Sequence, residues 1–174
     1  MPRPSSATHA ANKASTPLKT GFPAVISDRT RILVLGSFPG EASLKAAQYY
    51  AHPRNQFWRL LSAVLEEDIA ALPYEQRLLR LDVHGIGLWD VIDVCAREGS
   101  LDTAIRQAQP NDFSILKAQC PRLFRVCFNG KTSGKFEPQF QAAGFDTLVL
   151  PSSSPANMQL SFEQKLEIWR GIIR

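Results

Sequence analysis

Residues 31–58, RILVLGSFPGEASLKAAQYYAHPRNQFW, decide how the rest of the chain folds. The apolar, largely β-branched run at residues 32–35 is typical of a strand that is buried on both faces. This strand ends at Gly36, and residues 36–40 include two glycines and a proline, which allow a sharp turn close to a ligand. After a polar segment with a Tyr-Tyr pair, apolar residues at helical spacing between Phe57 and Leu65 predict a helix.

The rest of the chain alternates apolar runs with helical patterns. Further strands are predicted at residues 88–94, 123–128 and 147–150. Helices are predicted after Pro73, over residues 113–119 behind a cap at Asn111 or Asp112, and over residues 132–143. A further helix is predicted from Ser100, with Leu101, Ala104, Ile105 and Ala108 on one face. The last helix is predicted from a Ser161–Gln164 capping box, with Phe162, Leu166, Trp169 and Ile173 facing inward. This alternation predicts a single three-layer α/β/α domain around a four-stranded parallel sheet.

Composition is that of a soluble single domain. The chain has 174 residues, 44% hydrophobic and 21% charged, and no apolar run is long enough to cross a membrane. Of the net charge of +4, residues 1–20 contribute +3 through Arg3, Lys13 and Lys19. We expect residues 1–20 to be a flexible tail and residues 21–174 to be the folded domain. Without a signal-peptide core, we expect a cytoplasmic protein.

The cysteines do not predict a metal site or a disulfide framework. Cys95, Cys120 and Cys127 are odd in number, and no pair has C-x-x-C spacing. Only three histidines are present. We expect buried, reduced cysteines and neither a metal nor a cofactor.

Three segments together resemble the uracil-DNA glycosylase superfamily. They are GSFPG…YYAHPRNQFW at residues 36–58, GLWDV at residues 87–91 and LPSSSP at residues 150–155. The chain is most similar to the hypoxanthine-DNA glycosylase branch, through REGSLD at 97–102, NDF at 111–113 and FNG at 128–130. The resemblance implies a DNA glycosylase with the superfamily's α/β fold.

Two positions depart from the uracil-specific members. Where these carry Asp or Asn two residues after the first glycine of the turn, this chain has Phe38, which cannot orient or deprotonate water. Leu150 stands where they carry histidine. The hypoxanthine branch instead assigns catalysis to the asparagine of its Pro-x-Asn-x-Phe-Trp segment, which is Asn55 here.

The resemblance assigns a base pocket to Gly36, Ser37, Phe38, Tyr50 and Asp90. Backbone N–H groups of the turn can bind base carbonyls, the Tyr50 ring can stack on a base, and Asp90 can bind a base N–H or, if burial raises its pKa, donate. The alternatives are purely structural roles: Tyr50 belongs to the hydrophobic core, and Asp90 contacts solvent at a strand end.

The remaining candidate residues concern water and the DNA backbone. Asn55 can align a water molecule, cap the following helix, or do both. Ser152, Ser153 and Ser154 can contact phosphates or simply form a surface turn. Asn157 or Met158 can reach the space that a flipped base leaves.

We therefore expect a monomeric, monofunctional glycosylase that removes hypoxanthine from deoxyinosine in nucleoid DNA. Its partner is DNA containing deaminated bases. The alternatives are a uracil or G·U/G·T mismatch glycosylase, a non-catalytic binder of damaged or single-stranded DNA, and a small-molecule hydrolase or nucleotide-binding protein on a flavodoxin-like sheet.

Overall fold

The computed structural model describes residues 14–174; residues 1–13 lie outside the described part. The strands are β1 Leu18–Thr20, β2 Ile32–Gly36, β3 Ile86–Asp90, β4 Ile92–Ala96, β5 Arg106–Pro110, β6 Arg125–Asn129 and β7 Asp146–Leu150. The helices are α1 Glu41–Ala46, α2 Phe57–Leu65, α3 Tyr74–Val83, α4 Leu116–Gln119, α5 Lys131–Gly134, α6 Glu137–Ala142 and α7 Phe162–Trp169. None of the helices in this described range is long and apolar enough to span a membrane.

The central sheet is parallel, with the strand order β3-β2-β6-β7, which confirms the predicted four-stranded sheet. From β2 the chain first passes to β3 on one side and later returns to β6 on the other side. Ligands bind at the carboxyl ends of strands where such connections diverge. The end of β2, at Gly36, is therefore the expected binding position.

Strand β2 is the centre of two hydrophobic cores. Every residue of this strand is buried, and successive side chains point to opposite faces of the sheet. Ile32 and Val34 pack with residues of α2, α3 and α7, whereas Leu33 and Leu35 pack with residues of α4 and α6. This division confirms the three-layer α/β/α architecture.

A second sheet, antiparallel and ordered β1-β4-β5, was not predicted. The single strand predicted at 88–94 is in fact two strands, because the chain changes sheets at Val91, whose N–H donates to the Gly36 carbonyl at 2.8 Å. Neither glycine nor proline interrupts residues 88–94, so the sequence gives no sign of this change.

The helix predicted from Ser100 is also wrong. A 3₁₀ turn at Asp102–Ala104 leads into β5, whose residues are all exposed and pair with the open edge of β4. This short segment has little apolar surface to bury as a helix, so backbone pairing with β4 prevails. The Ser100 hydroxyl instead accepts a hydrogen bond from the Glu41 N–H at the start of α1.

The bounds of several other segments also differ from those predicted from the sequence. The flexible tail predicted at residues 1–20 lies mostly outside the described residues, and its predicted end is wrong, because Leu18–Thr20 pairs with β4. The helix predicted over 132–143 is two helices, since Pro138 can stand in the first turn of α6 but not inside a longer helix. The Ser161–Gln164 capping box and the Asp112 cap are confirmed. The prediction that Ile173 faces inward is wrong: it is exposed, and Ile172 is buried.

Candidate active site

A cavity of about 840 Å³ opens at the carboxyl ends of the parallel strands. Its wall includes all ten residues that the sequence assigned to catalysis, the base and the DNA backbone. These residues are Gly36, Ser37, Phe38, Tyr50, Asn55, Asp90, Ser152, Ser153, Ser154 and Asn157. Parallel strand ends bring them together from stretches that are far apart in the chain.

The turn at the end of β2 is shaped by the close approach of two side chains. A Cβ on Gly36 would lie 2.5 Å from Oδ1 of Asp90 and 3.0 Å from the Tyr50 hydroxyl. Only glycine leaves room for both polar groups at this strand end. The Ser37 hydroxyl donates to Oδ1 of Asp102 at 2.7 Å, which ties the turn to the 3₁₀ segment opposite.

Phe38 lies on the cavity wall, but its side chain is only 6% exposed and belongs to the hydrophobic core that contains Leu33 and Leu35. The Arg97 guanidinium lies over its ring, 5.2 Å from the centroid. This packing leaves little of the ring available for stacking on a base. The turn thus presents mainly backbone to the pocket, and no side chain there can orient water in the way that Asp or Asn would.

Asp90 is a buried carboxyl group on the pocket wall. It is 4% exposed, and its Oδ2 atom has no hydrogen-bond partner. Burial, reinforced by the nearby Asp102 and opposed by Arg97, raises the pKa of Asp90 to about 7. The side-chain amide of Asn111 donates to the Asp90 carbonyl at 2.8 Å and fixes the strand end.

Tyr50 presents a fixed ring to the pocket. The ring stacks on Phe57 with a centroid distance of 3.8 Å and an interplanar angle of 12°. Its hydroxyl is buried and has no partner in hydrogen-bond geometry. Burial together with Asp90 raises the pKa of Tyr50, and the nearby Asn129 side chain opposes this. The residue has φ of 55°, an uncommon conformation for a bulky side chain, which the surrounding structure maintains.

Asn55 is half-buried and precedes α2. Its Oδ1 accepts a hydrogen bond from the Phe57 N–H at 2.9 Å, so the amide oxygen stabilises the first turn of the helix. The backbone N–H of Asn55 donates to the His52 carbonyl at 2.9 Å. The second lone pair of Oδ1 and the amide nitrogen remain available on the cavity wall.

The serine-rich loop, residues 151–157, is held by hydrogen bonds to two other parts of the cavity wall. The Asn129 side chain both donates to the Ser153 hydroxyl and accepts from the Ser153 N–H, each at 2.9 Å. The Gln56 N–H donates to the Ser153 carbonyl at 3.0 Å. Because Ser153 is fully buried, its side chain cannot reach a phosphate, whereas Ser152 and Ser154 are partly exposed.

Lys165 is a buried ammonium group beneath this loop. It is 1% exposed, and its Nζ donates to Oε1 of Gln56 and to the carbonyl of Asn157, both at 2.9 Å. Burial lowers the pKa of Lys165. This side chain therefore connects the Asn55–Gln56 segment to the serine-rich loop.

Sequence reasoning missed Asp102, Asn129 and Lys165. Asn129 follows an apolar strand at the same strand-end position that singled out Asp90, so that rule could have found it. Lys165 occupies the apolar face of α7, which is an unusual position for lysine. Asp102 ends the REGSLD segment that contributes to the resemblance, but it was assigned no role because the segment was predicted to be helical.

The pocket has no grouping that suggests a metal. Within residues 14–174, no three His, Cys, Asp or Glu side chains come together in a way that could hold an ion. His52 lies on the wall, and its Nδ1 accepts from the Arg54 N–H at 3.1 Å.

Comparisons with known proteins agree on the family. The family model described as the uracil DNA glycosylase superfamily matches residues 23–172. A relative from Methanosarcina barkeri named hypoxanthine DNA glycosylase is 50% identical over 139 residues, covering 80% of this chain and 88% of the relative. A second protein of that name, from Methanosarcina acetivorans, is 44% identical over 157 residues, covering 90% of this chain and 99% of the relative.

A solved structure supports the same conclusion for the fold. It is a solution NMR structure from Methanosarcina acetivorans, described as that of a candidate uracil DNA glycosylase. Its TM-score is 0.80 at 42% sequence identity, with 91% of this chain and 100% of that chain covered. These comparisons confirm the resemblance and the fold class predicted from the sequence.

Proposed function

Because the chain belongs to the uracil DNA glycosylase superfamily, we propose that it is a monofunctional DNA glycosylase that removes hypoxanthine from deoxyinosine in DNA. The observation that carries the proposal is a pair of buried polar atoms without hydrogen-bond partners at the pocket. Two buried polar atoms without partners, Oδ2 of Asp90 and the Tyr50 hydroxyl, belong to residues that line the cavity at the strand ends. Such atoms are stabilised when a ligand with its own polar edge fills the cavity.

The pocket suits a base that has left the duplex. A cavity of about 840 Å³ accommodates a nucleobase with part of its sugar. Extruding the base costs a few kcal/mol of unstacking, and stacking on an aromatic ring returns about 1–3 kcal/mol. The Tyr50 ring, held against Phe57, is the surface for that stack.

We assign recognition of the base edge to Asp90 and to the turn that begins at Gly36. With a pKa of about 7, Asp90 exists in both forms near neutral pH. The carboxylate accepts from a base N–H such as N1–H of hypoxanthine, and the neutral acid donates to a ring nitrogen or carbonyl. The backbone of the turn supplies fixed dipoles beside the base.

We assign water positioning to Asn55. The bond between C1′ and N9 breaks with its electron pair passing to the purine, and the oxygen of the aligned water bonds to the oxocarbenium-like C1′. An amide cannot remove a proton, so Asn55 acts by orientation. Its hydrogen bond to the helix fixes the oxygen that holds the water.

Water, rather than an amine, is the proposed nucleophile. The lysine on the pocket wall, Lys131, is solvent-exposed, whereas a lysine that forms a Schiff base is activated by burial or a neighbouring cation. Lys165 is buried but committed to Gln56 and the loop. We therefore propose hydrolysis that leaves an abasic site and an intact DNA backbone.

The serine-rich loop is the proposed contact with the DNA backbone. Ser152, Ser154 and Asn157 offer hydroxyl and amide groups at the rim, and we assign to Ser153 the positioning of this loop through Asn129. We further propose that the enzyme acts as a monomer on nucleoid DNA.

Excision assays on matched oligonucleotides test the proposal. Duplexes and single strands that contain hypoxanthine, uracil or xanthine are incubated with excess enzyme, and abasic sites are measured after alkali cleavage. We expect hypoxanthine to be removed fastest. Binding without any abasic product would identify a non-catalytic damage binder instead.

A further inference from the structure

We propose that Asp90 is the general acid of this reaction and delivers a proton to N7 of the departing hypoxanthine. This inference rests on the proposed function. It assigns a chemical step to a residue whose expected part was recognition of the base.

The carboxyl group of Asp90 offers a ligand an oxygen that has no hydrogen-bond partner. Oδ1 lies against Gly36, where a Cβ would approach it to 2.5 Å. Oδ2 has no partner in the described structure, although it is buried and belongs to a residue of the cavity wall. An unpartnered polar atom in such a place is costly unless a ligand completes its hydrogen bonding.

Neighbouring groups favour a neutral carboxyl. The titratable and charged side chains near Asp90 are Tyr49, Tyr50, Arg97 and Asp102. Arg97 is the one cation of this set, but it donates to the carbonyls of Pro39 and Gly99 and makes no ion pair with Asp90. Burial and the charge of Asp102 raise the pKa of Asp90, so the acid form is well populated at neutral pH.

The protonation step balances without a further reactant. As the C1′–N9 bond breaks, its electrons move into the purine, and the proton of the Asp90 carboxyl passes to N7. Hypoxanthine then leaves as a neutral molecule rather than as an anion. Water adds to C1′ and loses a proton to solvent, and solvent returns a proton to Asp90. Proton donation to a leaving group of this kind contributes about 10²–10⁴-fold to the rate.

The first test is the pH dependence of single-turnover excision from a deoxyinosine duplex. If Asp90 acts as an acid, the rate falls as pH rises through the pKa of Asp90. If its carboxylate accepts from N1–H, the rate instead falls as pH decreases through that value. A rise with pH, or a flat profile, overturns the inference.

Two variants identify the group that titrates. Asp102→Asn removes a negative charge that raises the pKa of Asp90 but keeps an oxygen for the Ser37 hydroxyl. We expect its rate profile to shift to lower pH. His52→Gln, which removes the histidine on the wall, is expected to leave the midpoint where it was. A midpoint that moves with His52 and not with Asp102 contradicts the assignment.

The second test combines Asp90→Asn with a substrate that cannot accept the proton. In 7-deaza-2′-deoxyinosine a carbon replaces N7. We expect Asp90→Asn to slow excision of deoxyinosine by about 10²-fold or more and to cause little further loss on the deaza substrate. Equal losses on both substrates show that Asp90 does not protonate N7.

The proposed function can fail separately from this inference. If the wild-type enzyme leaves deoxyinosine intact but releases uracil, the proposed function is wrong and the inference falls with it. If deoxyinosine is released but the two losses are equal, only the inference is wrong. Thermal unfolding and DNA binding of Asp90→Asn check that the variant is folded.

Discussion

Replacing Asn55 by alanine separates its structural role from its chemical one. The variant loses the hydrogen bond between Oδ1 and the Phe57 N–H, which lowers stability by about 1 kcal/mol. In a domain of this size, that loss reduces Tm by about 2–4 °C. Loss of the oxygen that aligns water should reduce the single-turnover rate by about 10²–10³, or roughly 3–4 kcal/mol of barrier.

The chain provides a matched control for the structural part. Oδ1 of Asp112 accepts from the N–H two residues later, at Ser114, with the same spacing as in Asn55 and Phe57, and it lies outside the pocket. Asp112→Ala should lower Tm similarly and leave the rate unchanged. Asn55→Asp keeps a capping oxygen, so it should keep the stability and retain more activity than the alanine variant.

The assay measures abasic product from a deoxyinosine duplex with enzyme in excess, alongside thermal unfolding and DNA affinity. We expect Asn55→Ala to bind this DNA nearly as the wild type does and to react far more slowly. A folded, DNA-binding Asn55→Ala that reacts at the parent rate would refute the reasoning and limit Asn55 to capping its helix.

Three further predictions concern the turn, the loop and the buried carboxyl. Gly36→Ala should reduce the rate about 10²-fold because the new Cβ displaces the carboxyl of Asp90 and the phenol of Tyr50 beside it. Gly144 lies outside the pocket and has φ of 92°, so Gly144→Ala should lower Tm through backbone strain and leave the rate unchanged. Replacing Ser152 and Ser154 together by alanine should weaken binding to damaged and undamaged duplexes by the same factor, with a salt dependence of only a few phosphates; a loss confined to damaged DNA would argue against phosphate contacts. Asp90 ionises near 3.8 when unfolded and near 7 when folded, so folding takes up a proton between these values and wild-type stability falls as pH rises from about 4 to about 7. The Tm of Asp90→Asn relative to wild type should therefore increase across that range, and a constant difference would contradict the buried, neutral carboxyl.

The parallel sheet was predictable because each of its strands has a strong local signal. Residues 32–35 are apolar and end at a glycine, and the strands that follow alternate with helical patterns. The antiparallel sheet was not predictable in the same way. The change of sheet at Val91 depends on its hydrogen bond to Gly36, and the exposed β5 is a strand only because it pairs with β4.

Much of the candidate site followed from strand ends, since parallel strands bring their carboxyl ends to one edge. Asp90 was placed there correctly on the pocket wall. What the sequence could not provide is which hydroxyl of the loop is buried. Ser152, Ser153 and Ser154 are chemically identical in the sequence, and only the hydrogen bonds of Asn129 distinguish Ser153.

The central claim is that this pocket releases hypoxanthine rather than uracil. The most direct measurement compares single-turnover excision of deoxyinosine and deoxyuridine in otherwise identical duplexes, with abasic sites as the readout. Since Phe38 supplies no group to orient water, we expect much faster release of hypoxanthine. Equal or faster release of uracil would contradict the account.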